Sequence, residues 1–256
     1  MATKHEWDYP GKPLRKGGAG AAVKYAQEWL NLHGYGCVID GEFGPATEAA
    51  VKKFQDKQNI TNVVSGGRRT IDEKTWSELT EPIKNAVYWQ THPTAKLSEA
   101  IVATATFHLL HNPREVGGQN RGPWVRLYTG GKEGSAWPWC AAFVTYIIKQ
   151  AAAACNVKSP IPGSFSCDEL AKQAYPKARL FPQGKTAGYA ISAGDLFLIP
   201  KPGGGYQHTG IVTAVEPGRG TFWTIEGNTN DDGSREGYEV CKRVRLISKC
   251  AFIKMS

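Results

Sequence analysis

The 256-residue sequence has no long apolar run. Its longest, Pro138 to Ile148, stops at Lys149 and Gln150, well short of the roughly 20 residues needed to cross a bilayer, so no membrane span is expected. The first 25 residues carry Glu6, Asp8, Pro10, Lys12, Pro13, Arg15 and Lys16 with no apolar stretch between them. A secretory signal is therefore not expected, and synthesis in the cytoplasm is. Closely spaced cysteine pairs are missing too. Cys37, Cys140, Cys155, Cys167, Cys241 and Cys250 include no two at C-x(2–4)-C spacing, which argues against a zinc knuckle. Disulfides are not expected, and most of these cysteines read as small buried hydrophobes. No Lys/Arg run with interleaved aromatics occurs, so nucleic acid is not an expected partner.

The sequence does hold enough apolar material for two cores. Hydrophobic residues make up 41%, too many for a chain disordered throughout, and the length suits one large or two unequal domains. The net charge of +8 is unevenly spread. Residues 1–80 hold 11 basic and 10 acidic side chains, leaving 20 and 13 for 81–256. A basic surface steers polyanions inward, which fits nucleic acid, membrane headgroups or an anionic cell-wall polymer, nucleic acid being disfavoured as above.

After a Gly/Pro/Lys-rich leader, Gly18 to Gly20 precede Ala22, Val23, Ala26, Trp29 and Leu30, spaced as one face of a helix. A turn follows at His33–Gly36. Asp40-Gly41 marks a tight turn, and Pro45 suits the first position of a second helix with Ala49, Ala50, Val51 and Phe54 inward. Asp72 is a good cap for a third, with Thr75, Trp76 and Leu79 behind it. These make a small three-helix bundle. Residues 81–97, containing Pro82, Trp89, His92 and Pro93, show no sustained period and read as a linker. Ser98 can cap the next helix, which ends before Asn112-Pro113.

The order Leu14, Gly18, Gly20, Val23, Gln27, Leu30, Gly34-Tyr35, Asp40-Gly41-Glu42-Phe43-Gly44, Thr47, Ala50-Val51, Phe54-Gln55 and Thr75-Trp76 closely resembles the three-helix peptidoglycan-binding domain, over residues 13–80. The resemblance implies binding of cell-wall glycan or stem peptide, with Asp40, Gly41, Phe43, Gly44 and Thr47 as candidate binding positions. The stretch Asn62 to Arg69 is longer and more basic than that pattern usually allows.

Further on, Cys140, Phe143, Val144, Ile147, Ile148 and Ala151 are spaced as a helix face directly after Pro138, which places Cys140 in the first turn. There, free backbone N–H groups and the macrodipole favour a thiolate. Asp195 to Ile199 reads as a strand. His208 to Val215 and Thr221 to Glu226 read as the arms of a hairpin about Glu216–Gly220. Symmetric pairing sets Val215 against Thr221 and His208 against Asn228, with Glu226 diagonal to His208 on the same face. A nucleophile, a base and two candidate orienting groups are thus available. His108 and His111 form an i, i+3 pair with no third metal ligand in evidence.

The stretches Trp139-Cys140-Ala141-Ala142-Phe143-Val144, Gly194-Asp195-Leu196, His208-Thr209-Gly210-Ile211-Val212 and Ile225-Glu226-Gly227-Asn228-Thr229 together resemble the CHAP family of cysteine- and histidine-dependent amidohydrolases/peptidases. Glu115, Gly117, Gly118, Asn120, Gly122, Val125 and Tyr128 also look like that family's approach to its catalytic helix. The resemblance implies a papain-like α+β domain with an antiparallel sheet over residues 98–256. It further implies Cys140 as nucleophile, His208 as general base and then acid, Glu226 as the group orienting the imidazole, and Asn228 as a fourth polar member. Trp139 is a candidate substrate contact. Some relatives bind calcium through acidic residues before the cysteine, but Gly117 to Lys132 has no Asp or Glu, so neither metal nor cofactor is expected.

A wall-binding bundle followed by such a module resembles a phage endolysin or similar peptidoglycan hydrolase. The expectation is a monomer that cleaves an amide bond of the wall peptide, as N-acetylmuramoyl-L-alanine amidase or endopeptidase, after release through a holin-type pore. A secretion-system effector of the same chemistry is equally compatible. A non-catalytic wall-binding or virion structural protein stays as the alternative outside enzymology.

Overall fold

The computed structural model describes residues 5–61, 69–90, 96–184, 190–230 and 237–256. The chain divides into two compact units. One takes in the chain up to Tyr88 together with Glu115–Trp124, the other Trp89–Arg114 together with Val125–Ser256.

The first unit is helical, with α1 (Ala21–Leu32), α2 (Pro45–Lys57) and α3 (Glu73–Tyr88). Val23, Ala26, Trp29 and Leu30 of α1, Val51 and Phe54 of α2, and Trp76 and Leu79 of α3 are all buried, so the apolar stripes of the sequence do build one core. Gly20 at the start of α1 has φ 113°, a conformation only glycine adopts freely. Pro45 opens α2, and the Asp72 carboxylate accepts the Thr75 N–H at 2.9 Å to cap α3.

One expectation fails here. Residues 81–88 are the second half of α3, not linker, and Pro82 lies inside the helix. Ile83 and Ala86 extend the Trp76–Leu79 face and are 0% exposed, and that burial offsets the roughly 3 kcal/mol a helical proline costs. Of the expected linker, residues 91–95 lie outside the described residues, as do residues 62–68 of the long basic stretch.

Glu115–Trp124, whose glycines suggested the approach to a catalytic helix, groups with the first unit. Trp124 packs edge-on against Trp29, with ring centroids 6.1 Å apart.

Two buried glutamines tie the loops of this unit. From α1, Gln27 Nε2 donates to Asp40 Oδ1 at 2.8 Å, Glu42 O at 3.0 Å and Thr47 Oγ1 at 3.0 Å, while Gln27 Oε1 accepts the Gly41 N–H at 2.8 Å. From α2, Gln55 repeats the device, donating to Thr70 O and Thr75 Oγ1 and accepting the Arg69 N–H. Each amide supplies both donor and acceptor to its loop, beside the single antiparallel bridges Ala19–Glu42 and Leu14–Ile71.

The second unit is α+β. Its helices are α4 (Leu97–Leu110), α5 (Pro123–Thr129, whose first two residues belong to the first unit), α6 (Cys140–Ala154) and α7 (Cys167–Ala174). Its strands are β1 (Leu180–Phe181), β2 (Leu196–Pro200), β3 (Tyr206–Glu216), β4 (Thr221–Thr229), β5 (Glu239–Leu246) and β6 (Ala251–Ile253). They form one antiparallel sheet in the order β1-β6-β2-β3-β4-β5. Phe197, Val212, Phe222, Cys250 and Phe252 make a buried cluster on it. Ser98 does not cap α4; it lies one residue inside, and the Glu99 carboxylate accepts the Lys96 N–H at 3.4 Å instead.

The β3–β4 hairpin departs from symmetric pairing at its turn. Val215 pairs with Phe222, not Thr221, and Glu216 pairs with Thr221. A bulge between Val212 and Ala214 absorbs one residue, after which Val212 pairs with Thr224 and Ile211 with Ile225. Beyond the bulge the symmetric register is restored. Alternation from those pairs sets His208, Gly210, Thr224 and Glu226 on one face.

The glutamine clamp is testable. Gln27→Leu keeps the volume but strands the buried Gly41 N–H, so we expect a loss of about 2–3 kcal/mol in denaturant unfolding of the first unit. Lys52→Ala breaks an exposed helical pair with Asp56 and is expected to cost under about 1 kcal/mol.

Candidate active site

Cys140 is the first residue of α6, capped only by the backbone of Trp139. Pro138 just before it ends the preceding segment, and the helix is held down by Phe143, Val144, Ile147 and Ile148, each 0% exposed. The sulfur therefore sits where helix N–H groups are unpaired, and the Ala141 N–H is directed to it.

His208 comes from β3 and pairs with Ile199 of β2. Its Nε2 lies 2.8 Å from Glu226 Oε2. That leaves Nδ1 for Cys140, with which the imidazole is also hydrogen-bonded. Thiol, imidazole and carboxylate thus stand in sequence.

Glu226 is 0% exposed, and its carboxylate is saturated. Oε1 accepts from Thr224 Oγ1 at 2.6 Å and Arg245 Nε at 2.8 Å; Oε2 accepts from Arg245 Nη2 at 2.6 Å and from His208. Burial pushes this carboxyl up, but the Arg245 fork and His208 outweigh it and hold it at about 2. Burial likewise opposes a charged His208, yet its bonds and charges with Cys140 and Glu226 raise it to about 9. Cys140 is lowered well below an ordinary thiol, first by a hydrogen bond from Cys167, then against burial by His208. These shifts all favour a thiolate–imidazolium pair backed by a carboxylate.

Gly210 makes the carboxylate's position possible. A Cβ there would lie 2.8 Å from Glu226 Cγ and 2.7 Å from Phe197 Cε1. The motif residue His-Thr-Gly is thus a steric requirement of the His208–Glu226 bond.

Cys140 opens onto a cleft of about 250 Å³, whose walls include Pro138, Phe165, Asp168, Lys201 and Asn228. Asp168 and Lys201 form an ion pair at 2.9 Å, and Asp168 also accepts the Tyr206 N–H at 2.6 Å. Asn228 has φ 53° and is 1% exposed; its Oδ1 is buried with no hydrogen-bond partner among the described residues. It is not bonded to His208. Of the two orienting candidates, only Glu226 touches the imidazole.

Other expected site residues are placed elsewhere. Trp139 is 0% exposed and stacks on Tyr128 at 5.7 Å, so it is core and not a wall of the cleft. In the first unit Phe43 and Thr47 are each 2% exposed, and Thr47, Asp40 and Gly41 are engaged by Gln27. Gly44 is the backbone cap of α2. All five belong to one stretch, in which the Phe43 and Thr47 side chains are buried. Asp195 is spent on structure as well, accepting from Ser192 N, Ser192 Oγ and Met255 N. His108 bonds Tyr128 through Nδ1 and Gln150 through Nε2, which accounts for both ring nitrogens without a metal.

Arg245, Thr224, Cys167 and the Asp168–Lys201 pair are additions that the sequence reading missed. Thr224 carried a signal, lying two residues before Glu226 on the same strand face. Arg245 reaches Glu226 from opposite Phe222, four residues along β4, which only the β4–β5 register reveals.

Comparisons with known families agree with the two-unit layout. Residues 19–66 match the putative peptidoglycan binding domain, and residues 131–228 match the CHAP domain. No curated protein matches the chain. The two domains support a peptidoglycan hydrolase or amidase in general, with peptidoglycan as the partner of the first. The chain carries a peptidoglycan-binding domain followed by a CHAP domain, the modular order of a wall-binding unit ahead of a cysteine- and histidine-dependent amidohydrolase/peptidase unit.

Proposed function

We propose that this protein hydrolyses an amide bond of the peptidoglycan peptide, as an N-acetylmuramoyl-L-alanine amidase or an endopeptidase, with Cys140 as nucleophile. The observation that supports it most is the unbroken chain from Cys140 through His208 to Glu226 at the mouth of a cleft. The Cys140 thiolate attacks the scissile carbonyl, and N–H groups at the start of α6 receive the developing oxyanion. His208, protonated at rest, gives its proton to the leaving amine and then takes one from the water that releases the acyl group. Glu226 keeps the imidazolium charged and oriented. Asn228 Oδ1, buried and unpaired, is the acceptor that a substrate N–H meets. The site of action is the bacterial wall, where the first unit concentrates the catalyst on an insoluble polymer.

Mass spectrometry of fragments released from purified sacculi tests the reading and names the bond. A new muropeptide amino terminus at L-alanine marks an amidase; one within the stem or cross-bridge marks an endopeptidase. Cys140→Ser should release no fragments while still pelleting with sacculi. Fragment release by that variant would remove the nucleophile assignment, and failure of both variant and wild type to pellet would remove the wall-binding one.

The pH dependence follows from the charges. In kcat/KM the acid limb tracks formation of the Cys140 thiolate, below the ordinary thiol range, and the basic limb tracks loss of the His208 proton near about 9. Arg245→Met removes the main force opposing the burial that raises Glu226, so the carboxyl protonates at higher pH and the imidazolium loses its partner. We expect the acid limb to move to higher pH and kcat/KM at pH 7 to fall about tenfold or more, equivalent to about 1.4 kcal/mol or more. Arg245→Lys keeps the charge without the fork and should recover part of the loss. Glu226→Gln should shift the acid limb further than Asn228→Ala does. An unchanged pH profile in Arg245→Met, with circular dichroism showing an intact fold, would refute the positioning role.

A further inference from the structure

A second thiol faces the first. Cys140 Sγ and Cys167 Sγ are 3.8 Å apart, and both residues line the cleft. Each is the first residue of its helix, α6 or α7, so both sulfurs lie at helix N-termini. Neither is in a disulfide. A disulfide needs about 2.0 Å between sulfurs, so the pair stands within about 2 Å of bonding distance.

The two thiols are unequal. Their shared hydrogen bond keeps the proton on Cys167 and the negative charge on Cys140; burial and the neighbouring Asp168 also push Cys167 up. One member is thus set to attack an electrophile while the other waits as a protonated thiol beside it.

We propose that Cys140 and Cys167 form a hydroperoxide-reactive dithiol that closes to an intramolecular disulfide. The Cys140 thiolate attacks the terminal oxygen of the hydroperoxide; an S–O bond forms, the O–O bond breaks, and the departing alkoxide or hydroxide leaves with a proton, for which the His208 imidazolium is the adjacent source. Cys167 sulfur then attacks Cys140 sulfur and loses its proton; the S–O bond breaks and hydroxide leaves as water with that proton. Two thiols are oxidised by two electrons, and the hydroperoxide is reduced to an alcohol or water plus one water. The disulfide occupies the nucleophile and shields it from irreversible oxidation to sulfinic acid. The inference rests on the reading of Cys140 as a reactive thiolate, but not on which bond the protein cleaves.

The test uses the full-length protein, hydrogen peroxide as the probe and a non-reducing tryptic map. Lys132, Lys149, Lys158 and Lys172 place Cys140, Cys155 and Cys167 on three separate peptides. We expect a linked Cys140–Cys167 peptide lacking two hydrogen masses, with both free thiols regained on treatment with dithiothreitol. In Cys167→Ser the link should be absent and Cys140 should gain two oxygens that dithiothreitol does not remove. Absence of the link in wild type, with Cys140 reaching sulfinic acid as fast as in Cys167→Ser, overturns the proposal; so does linkage of Cys140 to Cys155 instead. The wild-type map decides alone if Cys167→Ser or Cys167→Ala fails to fold. It requires no hydrolysis, so a disulfide without wall cleavage, or cleavage without a disulfide, separates this inference from the proposed function.

Discussion

A carboxylate with no exposed surface is the constraint around which the second unit is arranged. An isolated buried carboxylate protonates, because desolvating its charge costs more than giving the charge up. Glu226 escapes this by accepting four hydrogen bonds, three of them from cationic groups. Arg245 and His208 flank it, and Cys140 lies beyond His208, so the charges alternate along a row and sum to zero when the thiolate forms. Removing any member leaves a neighbour uncompensated. The row also dictates backbone features that look incidental. Position 210 can hold only glycine because a side chain would strike Glu226 and Phe197, and the bulge at Thr213 corrects a register that would otherwise set Glu226 on the wrong face.

The first unit solves a milder form of the same problem. Single bridges such as Ala19–Glu42 and Leu14–Ile71 pair only part of the backbone of its loops, and Gln27 and Gln55 supply further partners from within the helices. The Asp-Gly-Glu-Phe-Gly element earns its place in the pattern as the loop that Gln27 clamps. In it and just after it the Phe43 and Thr47 side chains are buried, whereas Glu42, Pro45 and Ala46 are exposed. Because Glu115–Trp124 also belongs to this unit, excising the first 88 residues would strip Trp124 of Trp29.

Elements announced by local chemistry were legible in the sequence. Helix α6 begins at Cys140 because a proline two residues before it and an unbroken apolar stripe after it leave little choice, and Pro45 and Asp72 open their helices as expected. The arms of the hairpin were legible for the same reason. What was not legible depends on long-range packing. The half of α3 after Pro82 exists because Ile83 and Ala86 find a core, which no local preference announces. A single-residue bulge leaves no trace in an alternating pattern, and Arg245 and Cys167 acquire meaning only when β5 and α7 are set beside β4 and α6. Trp139 misled because an aromatic next to a nucleophile is equally well a packing residue, and here Tyr128 claims it.

The position of Cys167 also bears on how fast Cys140 can react. Lowering a thiol's pKa increases the fraction present as thiolate, but each thiolate becomes a weaker nucleophile, with a Brønsted slope of about 0.4–0.5. Once the thiolate is the major form at neutral pH, further stabilisation only slows attack. The bond from Cys167 lowers the Cys140 thiol most, with His208 and the Ala141 N–H acting in the same direction. That bond favours the resting enzyme, and it must weaken as the sulfur gives its electrons to a carbonyl carbon. Replacing Cys167 with a residue that cannot donate therefore acts on two quantities in opposite directions, a smaller thiolate fraction and a stronger nucleophile. The second gains on the first as pH rises, because the thiolate fraction of both proteins converges on one. A Cys167→Ala enzyme should accordingly lose rate at the acid end of the profile and match or exceed the native enzyme toward the alkaline end, a crossing that a purely structural defect would not produce.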